Sequence, residues 1–346
     1  MSCDSLNNPS PREPGPVKLL IKKTDDDGRL AKVPQFLTTD WTIDVVDEHD
    51  TQALTSGLAS ADAMISMEWS QAMPAAPRLR LLHLPGAGTD AVDFEAVPPA
   101  AAVCNVFEHE TGIAEYVLAT MLQWVIGLPR LEDSLRNGHW SGSHLFGPVH
   151  GELFGKTLGI VGYGRIGREV AKRAQAFGMR TLACSQTARD GDGFVDTVEP
   201  MSGLDTTLAQ CDFVLLCMPL TKATESIIDD RRLSLMRKSA VIINVARGPL
   251  IDEAALYAAC RERKIGGAII DTWYRYPQEA SEHCQPSRFP FEELDNVIMT
   301  PHASAWTDRL APRRNRVIAE NLDRLVRGEP LINLVRESIA PAHTAH

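Results

Sequence analysis

Gly162, Tyr163, Gly164, Arg165, Ile166 and Gly167 spell GxGxxG directly behind the apolar run 158–161. A helix-length segment follows, with Ile166, Val170, Ala171, Ala174 and Phe177 on one face. Strand, tight turn and helix in that order suit the pyrophosphate of a dinucleotide. Gly162 permits the turn, Gly164 lets backbone approach the anion, and Gly167 lets helix and strand pack. The helix N-terminus adds unpaired N–H groups and the positive end of its dipole. Gly162, Gly164, Arg165, Ile166 and Gly167 are therefore assigned to cofactor binding; the competing reading is a turn that only packs. The strand at 180–185 bears on which dinucleotide. An NAD site uses a carboxylate near that strand's end to hold the adenosine ribose. Here the strand ends in Ser185, then Gln186, Thr187 and Arg189. Ser and Gln do not repel a 2′-phosphate and Arg189 can pair with one, so NADP is favoured over NAD. The opposing possibility is that Asp190 or Asp192 curls back to the ribose. Three later segments also end strands, where ligands of open α/β sheets bind: residues 244–249 with Arg247, 271–277 with Asp271 and Tyr276, and 299–304 with His302.

These residues need a scaffold, and its strands are visible as short apolar runs. Residues 17–21, 63–67, 79–84 and 101–106 form a first series; 157–161, 180–185, 213–218, 241–245, 267–271 and 297–300 form a second. Most are apolar without alternation, as strands covered on both faces are, and helix-length segments separate them. The expected fold class is therefore α/β, with two parallel-sheet, Rossmann-like units. Ile113, Val117, Leu118, Met121, Leu122 and Val125 mark a helix between the two series. Val317, Ile318, Leu322, Leu325 and Val326 mark a last helix, closed by Gly328. No strand series follows that helix, so it must pack on something built earlier. Residues 1–16 and 337–346 read as flexible tails.

The chain has 346 residues, 44% of them hydrophobic, and a formal charge of −10. That length points to two domains, and that charge gives little attraction for nucleic acid or an anionic membrane. Seven scattered cysteines with no CxxC pair suggest neither a disulfide framework nor a metal site. No apolar stretch approaches the roughly 20 residues of a membrane span, so a soluble, cytoplasmic protein is expected.

Together with residues 152–167 and 218–224, the three strand-end segments make the chain resemble the D-isomer-specific 2-hydroxyacid dehydrogenase family over most of residues 61–330. The resemblance implies a discontinuous substrate domain, flavodoxin-like, at 17–115 and 303–336, around a dinucleotide-binding Rossmann domain at 116–302. It also implies NAD(P)-dependent hydride transfer to or from a small 2-oxo or 2-hydroxy acid, D-specific. The family's arginine falls on Arg247, where a guanidinium would bind the substrate carboxylate and polarise its carbonyl. The family's acid/base falls on His302, an imidazole suited to proton exchange at neutral pH. Met218, Pro219, Val245, Ala246 and Asp271 fall with the cofactor, Asp271 beside the nicotinamide carboxamide. Ala87 and Gly88, in the glycine turn 86–89, and Trp69 fall with the substrate. Tyr274 and Trp306 are candidate aromatic walls or packing residues. The stretch 128–155, with Trp140, resembles the family's dimer-forming connection, so a homodimer is expected.

One position departs from the pattern. The family pairs its histidine with a glutamate, and the matching residue here is Tyr276. A phenol orients an imidazole by hydrogen bonding but does not stabilise its charge as a carboxylate does, so His302 should titrate lower than in a Glu-paired relative. Formate dehydrogenases resemble this segment, with a neutral partner at that position and an HxS pattern matched by His302 and Ser304. Two alternatives to a 2-oxo acid reductase therefore stay open: a formate- or phosphite-type dehydrogenase, and a cofactor-sensing binding protein without turnover.

Overall fold

The computed structural model describes residues 17–23, 28–47, 49–279 and 281–339. The tail expected at 1–16 lies outside the described residues, as do 340–346 of the tail expected at 337–346. The chain forms two compact units, Met1–Glu108 with Asp308–His346 and His109–Thr307. In order, the first contributes β1 (Val17–Lys23), β2 (Trp41–Asp47), α1 (Thr51–Leu58), β3 (Ala63–Ile65), β4 (Leu81–His83) and β5 (Ala102–Cys104). The second contributes α2 (Glu110–Ile126), α3 (Leu128–Arg136), β6 (Thr157–Val161), α4 (Arg165–Ala176), β7 (Arg180–Ser185), β8 (Arg189–Asp190) and β9 (Thr197–Pro200). It continues through α5 (Leu204–Gln210), β10 (Phe213–Leu216), α6 (Asp230–Leu235), β11 (Val241–Asn244), α7 (Glu253–Arg261), β12 (Gly267–Ile270) and β13 (Val297–Met299). The chain then returns to the first unit as α8 (Leu310–Arg327) and β14 (Leu334–Arg336).

The first unit is a six-stranded sheet in the order β14-β5-β4-β3-β1-β2, parallel except for β14. Leu20, Met64, Leu82 and Val103 pack with Leu54 and Leu58 of α1, while Leu19, Ile21, Ile65 and Leu81 pack with Ile318, Ala319 and Leu322 of α8. Burial on both faces explains why these strands read as unbroken apolar runs. It also places the last helix on the first strand series, which makes this unit discontinuous. Gly127 and Gly328 end α2 and α8 in the left-handed conformation.

The division falls after Glu108 and before Asp308, whereas the sequence suggested crossings at 115/116 and 302/303. All of α2 lies in the second unit because Ile113, Ala114 and Val117 join its core. The turn after β13 stays there too, since Ser304 N–H bonds to Asp271. Four further strands were not among those expected from the sequence, β9 (Thr197–Pro200) being one. Strand β2 is an edge strand whose apolar residues alternate with Thr and Asp, and β8 and β14 are only two and three residues long. Among the described residues no single helix is long and apolar enough to cross a membrane.

A buried histidine ties the two pieces of the first unit together. His83 Nδ1 lies 3.0 Å from Leu84 O and Nε2 lies 2.9 Å from Asn321 Nδ2, and Asn321 also holds Ile332 through both its backbone groups. The carbonyl fixes the proton on Nδ1, so Nε2 accepts from the amide and the ring is neutral. Burial drives its pKa down to about 4, the Leu84 bond opposing. A depressed histidine favours folding fully above the unfolded value of 6.5 and loses that contribution as pH falls toward 4. About 2–3 kcal/mol should therefore disappear from chemical-denaturation stability between pH 7.5 and 4.5. His83→Gln, a neutral residue, should lack that part of the pH dependence; an unchanged dependence would assign it to other groups.

Candidate active site

The second unit's sheet runs β13-β12-β11-β10-β6-β7-β9-β8, parallel except for the β8–β9 pair. From β6 the chain builds outward through β7 and then returns to β10 on the other side. The crevice between β6 and β10 is therefore the switch point where an open α/β sheet binds its ligand. The glycine turn sits there, between β6 and α4.

Each glycine of that turn has its own steric reason. Gly162 has φ +99°, and a Cβ there would meet Met218 N at 2.8 Å. A Cβ on Gly167 would meet Gly162 O and Ile160 Cγ2, both at 2.9 Å. Nothing lies within 4 Å of a Cβ on Gly164, the N-cap of α4. The tight contacts fix the turn, and the open side of Gly164 gives a pyrophosphate room to approach backbone; the residues present fit a dinucleotide. Of the neighbours assigned to the cofactor, Met218 is buried against Gly162, whereas Pro219 and Gln186 are exposed. Arg165 is mostly exposed with Glu110 at 4.0 Å, and Ile166 and Ser185 are half-buried. Arg189 donates to Tyr163 O and lies over that ring, 5.4 Å from its centroid.

Arg247 follows β11 on a loop braced by Asn244, which sequence reading passed over. Its Nδ2 donates to Arg247 O at 2.8 Å and its Oδ1 accepts from Ala246 N at 3.1 Å. Val245 and Ala246 are buried in that loop. Gly248 comes so close to the next strand end that a Cβ would meet Trp273 O at 2.4 Å. The Arg247 and Tyr276 segments are thereby held side by side.

The His302 turn is organised by Asp271, which is fully buried. Its Oδ1 accepts from Thr300 Oγ1 at 2.6 Å and Ala303 N at 2.8 Å, its Oδ2 accepts from Ser304 N at 2.9 Å, and its backbone carbonyl accepts from His302 N at 2.8 Å. Tyr116 of α2 extends the network, its hydroxyl 2.7 Å from Thr300 Oγ1. These bonds hold His302 at φ +56°, a left-handed conformation that costs a non-glycine residue about 1 kcal/mol or more. The residue stays accessible although protein packs around much of its ring, and Nδ1 lies 3.0 Å from the Tyr276 hydroxyl. Because the Tyr276 oxygen already accepts Trp273 N–H at 3.1 Å, its own O–H is free to donate to a neutral Nδ1.

A model of the D-isomer-specific 2-hydroxyacid dehydrogenase NAD-binding domain matches residues 118–304, more than half of the chain. The chain belongs to that family. D-3-phosphoglycerate dehydrogenase of Methanocaldococcus jannaschii is 32% identical over 91% of this chain, which spans 57% of that relative's length. Glyoxylate reductase of Pyrococcus furiosus is 34% identical over 76% of this chain and 78% of its own. Among solved structures, a family member from Xanthobacter autotrophicus in complex with NADPH and MES superposes with a TM-score of 0.75 at 25% identity, covering 93% of this chain and 98% of that one. Membership supports oxidoreductase chemistry on a 2-hydroxy acid with a nicotinamide cofactor.

Three surrounding influences set the titration of His302. Burial lowers the His302 pKa below its ordinary value, the Asp271 carboxylate raises it, and the Arg247 guanidinium lowers it. Burial raises the Tyr276 phenol. One expectation needs correction. The Trp69 indole does not line a site: it is 2% exposed in the first unit's core, its Nε1–H donating to Ala96 O, because the chain turns inward after exposed Glu68. Tyr274 is a packing residue whose hydroxyl donates to Ile251 O. Trp306 is 58% exposed. Ala87 and Gly88 are half-buried beyond β4, with Ala87 O accepting from Asn105 Nδ2.

Proposed function

We propose that this chain is a D-specific reductase of small 2-oxo acids that uses NADP in preference to NAD. The observation that carries this reading is the accessible His302 side chain, set on Tyr276 beside Arg247 and fixed from behind by Asp271. Bound reduced nicotinamide would supply a hydride to the keto carbon. Arg247 binds the substrate carboxylate and polarises the carbonyl with paired N–H donors. Backbone N–H groups of Ala87 and Gly88 are assigned to substrate binding, as the family resemblance implies. His302 as imidazolium gives the Nε2 proton to the developing alkoxide and is left neutral.

Tyr276 suits both protonation states. Toward the neutral Nε2–H tautomer it donates its O–H to Nδ1; toward imidazolium, and toward the Nδ1–H tautomer left once Nε2 has given up its proton, its second lone pair accepts Nδ1–H while Trp273 N–H keeps the first. Asp271, with both oxygens engaged by residues 300–304, positions His302 in addition to any contact with the cofactor. Gly162, Gly164, Arg165, Ile166 and Gly167 hold the pyrophosphate, with Met218, Pro219, Val245 and Ala246 alongside. Ser185, Gln186 and Arg189 receive the adenosine 2′-phosphate.

A nicotinamide absorbance assay with both cofactors, across glyoxylate, hydroxypyruvate, pyruvate and aromatic 2-oxo acids, tests the reading. Turnover with NADPH exceeding NADH on at least one of them is the expected result, and inertness of all overturns it. The uncharged His302 partner favours a second reading, a formate- or phosphite-type dehydrogenase, which turnover of either anion would support. Cofactor binding without any turnover would point to a sensor. The exposed apolar side chains of 128–154, among them Trp140, Phe146 at 81% and Val149 at 97% exposure, support a homodimer. Light scattering at the monomer mass of 38.0 kDa would exclude it.

A further inference from the structure

The hairpin of β8 and β9 folds back onto the glycine turn. Asp192, between the two strands, accepts the Tyr163 hydroxyl on Oδ1 at 2.9 Å and Phe194 N–H on the same atom at 3.2 Å. Its Oδ2 takes Arg168 Nε of α4 at 2.9 Å, and Arg168 also lies 5.9 Å from the Phe194 ring centroid. On the neighbouring strand, Arg189 is held by the carbonyl and the face of the same tyrosine. Tyr163, the residue between the first two glycines, thus contacts both charges that compete for the 2′ end of the adenosine. Its carbonyl and ring hold the cation, and its hydroxyl holds the anion. A free carboxylate at this place would accept ribose hydroxyls and repel a 2′-phosphate. One already engaged by a phenol, a backbone N–H and a guanidinium does neither.

We propose that Tyr163, together with Arg168, determines coenzyme choice by occupying Asp192, so that the site presents Arg189 to the adenosine 2′ position. This inference rests on the NADP-preferring reading and deepens it. Tyr163 acts through Asp192 and is a positioning residue. Its ring is buried, so Tyr163→Phe keeps the packing and the platform under Arg189, changes no charge, and leaves Asp192 one donor short.

Equilibrium binding of 2′,5′-ADP and 5′-AMP to the full chain tests it, because the ratio of two affinities in one protein is insensitive to general loss of folding. The wild-type chain should bind 2′,5′-ADP more tightly. Tyr163→Phe should cut that ratio about tenfold, the scale of one hydrogen bond to a charged group. Adding Asp192→Asn should restore it. The ratio of kcat/KM with NADPH to that with NADH should move the same way. An unchanged ratio in Tyr163→Phe overturns the inference, and so does a fallen ratio that Asp192→Asn fails to restore. A wild-type chain with no preference overturns the NADP reading instead, while a tenfold shift on Tyr163→Phe would still support the hold on Asp192.

Discussion

Arg247→Ala is expected to lower kcat/KM for reduction of a 2-oxo acid by about a thousandfold, or roughly 4 kcal/mol of transition-state stabilisation. The guanidinium is the one group in the 244–249 loop able to give two parallel donors to a carboxylate and its neighbouring carbonyl oxygen. Asn244 pins the backbone on both sides of Arg247, whose Nη1 donates to Ala246 O at 2.8 Å, so the loop itself need not rearrange to offer the remaining guanidinium donors. Arg247→Lys restores a cation without the paired geometry and should recover less than tenfold of the loss. Steady-state kinetics of both variants decides the matter. A loss below tenfold for the alanine variant would mean that Arg247 does not bind the reacting group.

His302→Asn should lower kcat by about two to four orders of magnitude and remove the pH limb of reduction. The wild-type limb follows from the lowered pKa. Reduction needs imidazolium, so the rate falls as pH rises through the His302 value, and burial with Arg247 outweighs Asp271 to set that fall below the ordinary 6.5. Tyr276→Glu places an anion against Nδ1–H, favours the charged ring, and should move the fall upward by about one unit. A pH–rate profile of kcat/KM for the three proteins measures this directly. If Tyr276→Glu left the limb in place, another group, with Glu279 the candidate, would already be serving His302.

Much of this arrangement was legible from residue order. The glycine turn at 162–167 could be read because strand, turn and helix are local, although the contact that crowds Gly162 comes from Met218, just past β10. The α/β class could be read because strands buried on both faces leave unbroken apolar runs. Trp69 could not be placed, since its neighbours in sequence are exposed and only folding shows that its indole meets Ala96. Neither could β14, whose three residues are held by Arg336 donating to the carbonyls of Phe94, Val97, Pro98 and Ala101. Those acceptors lie more than 230 positions away, and no local pattern announces them.

By itself, then, the sequence determined the family, the parallel α/β architecture, the dinucleotide turn and the residue types available for hydride-transfer chemistry, because these depend on short-range order and periodicity. Tertiary structure alone decided how those residues are used. It gave Asp271 to the His302 turn, set Tyr276 on the imidazole, and tied Asp192 to Tyr163 and Arg168. Each of these bonds joins groups far enough apart in sequence that only the closing of the sheet brings donor and acceptor within 3 Å or so of each other.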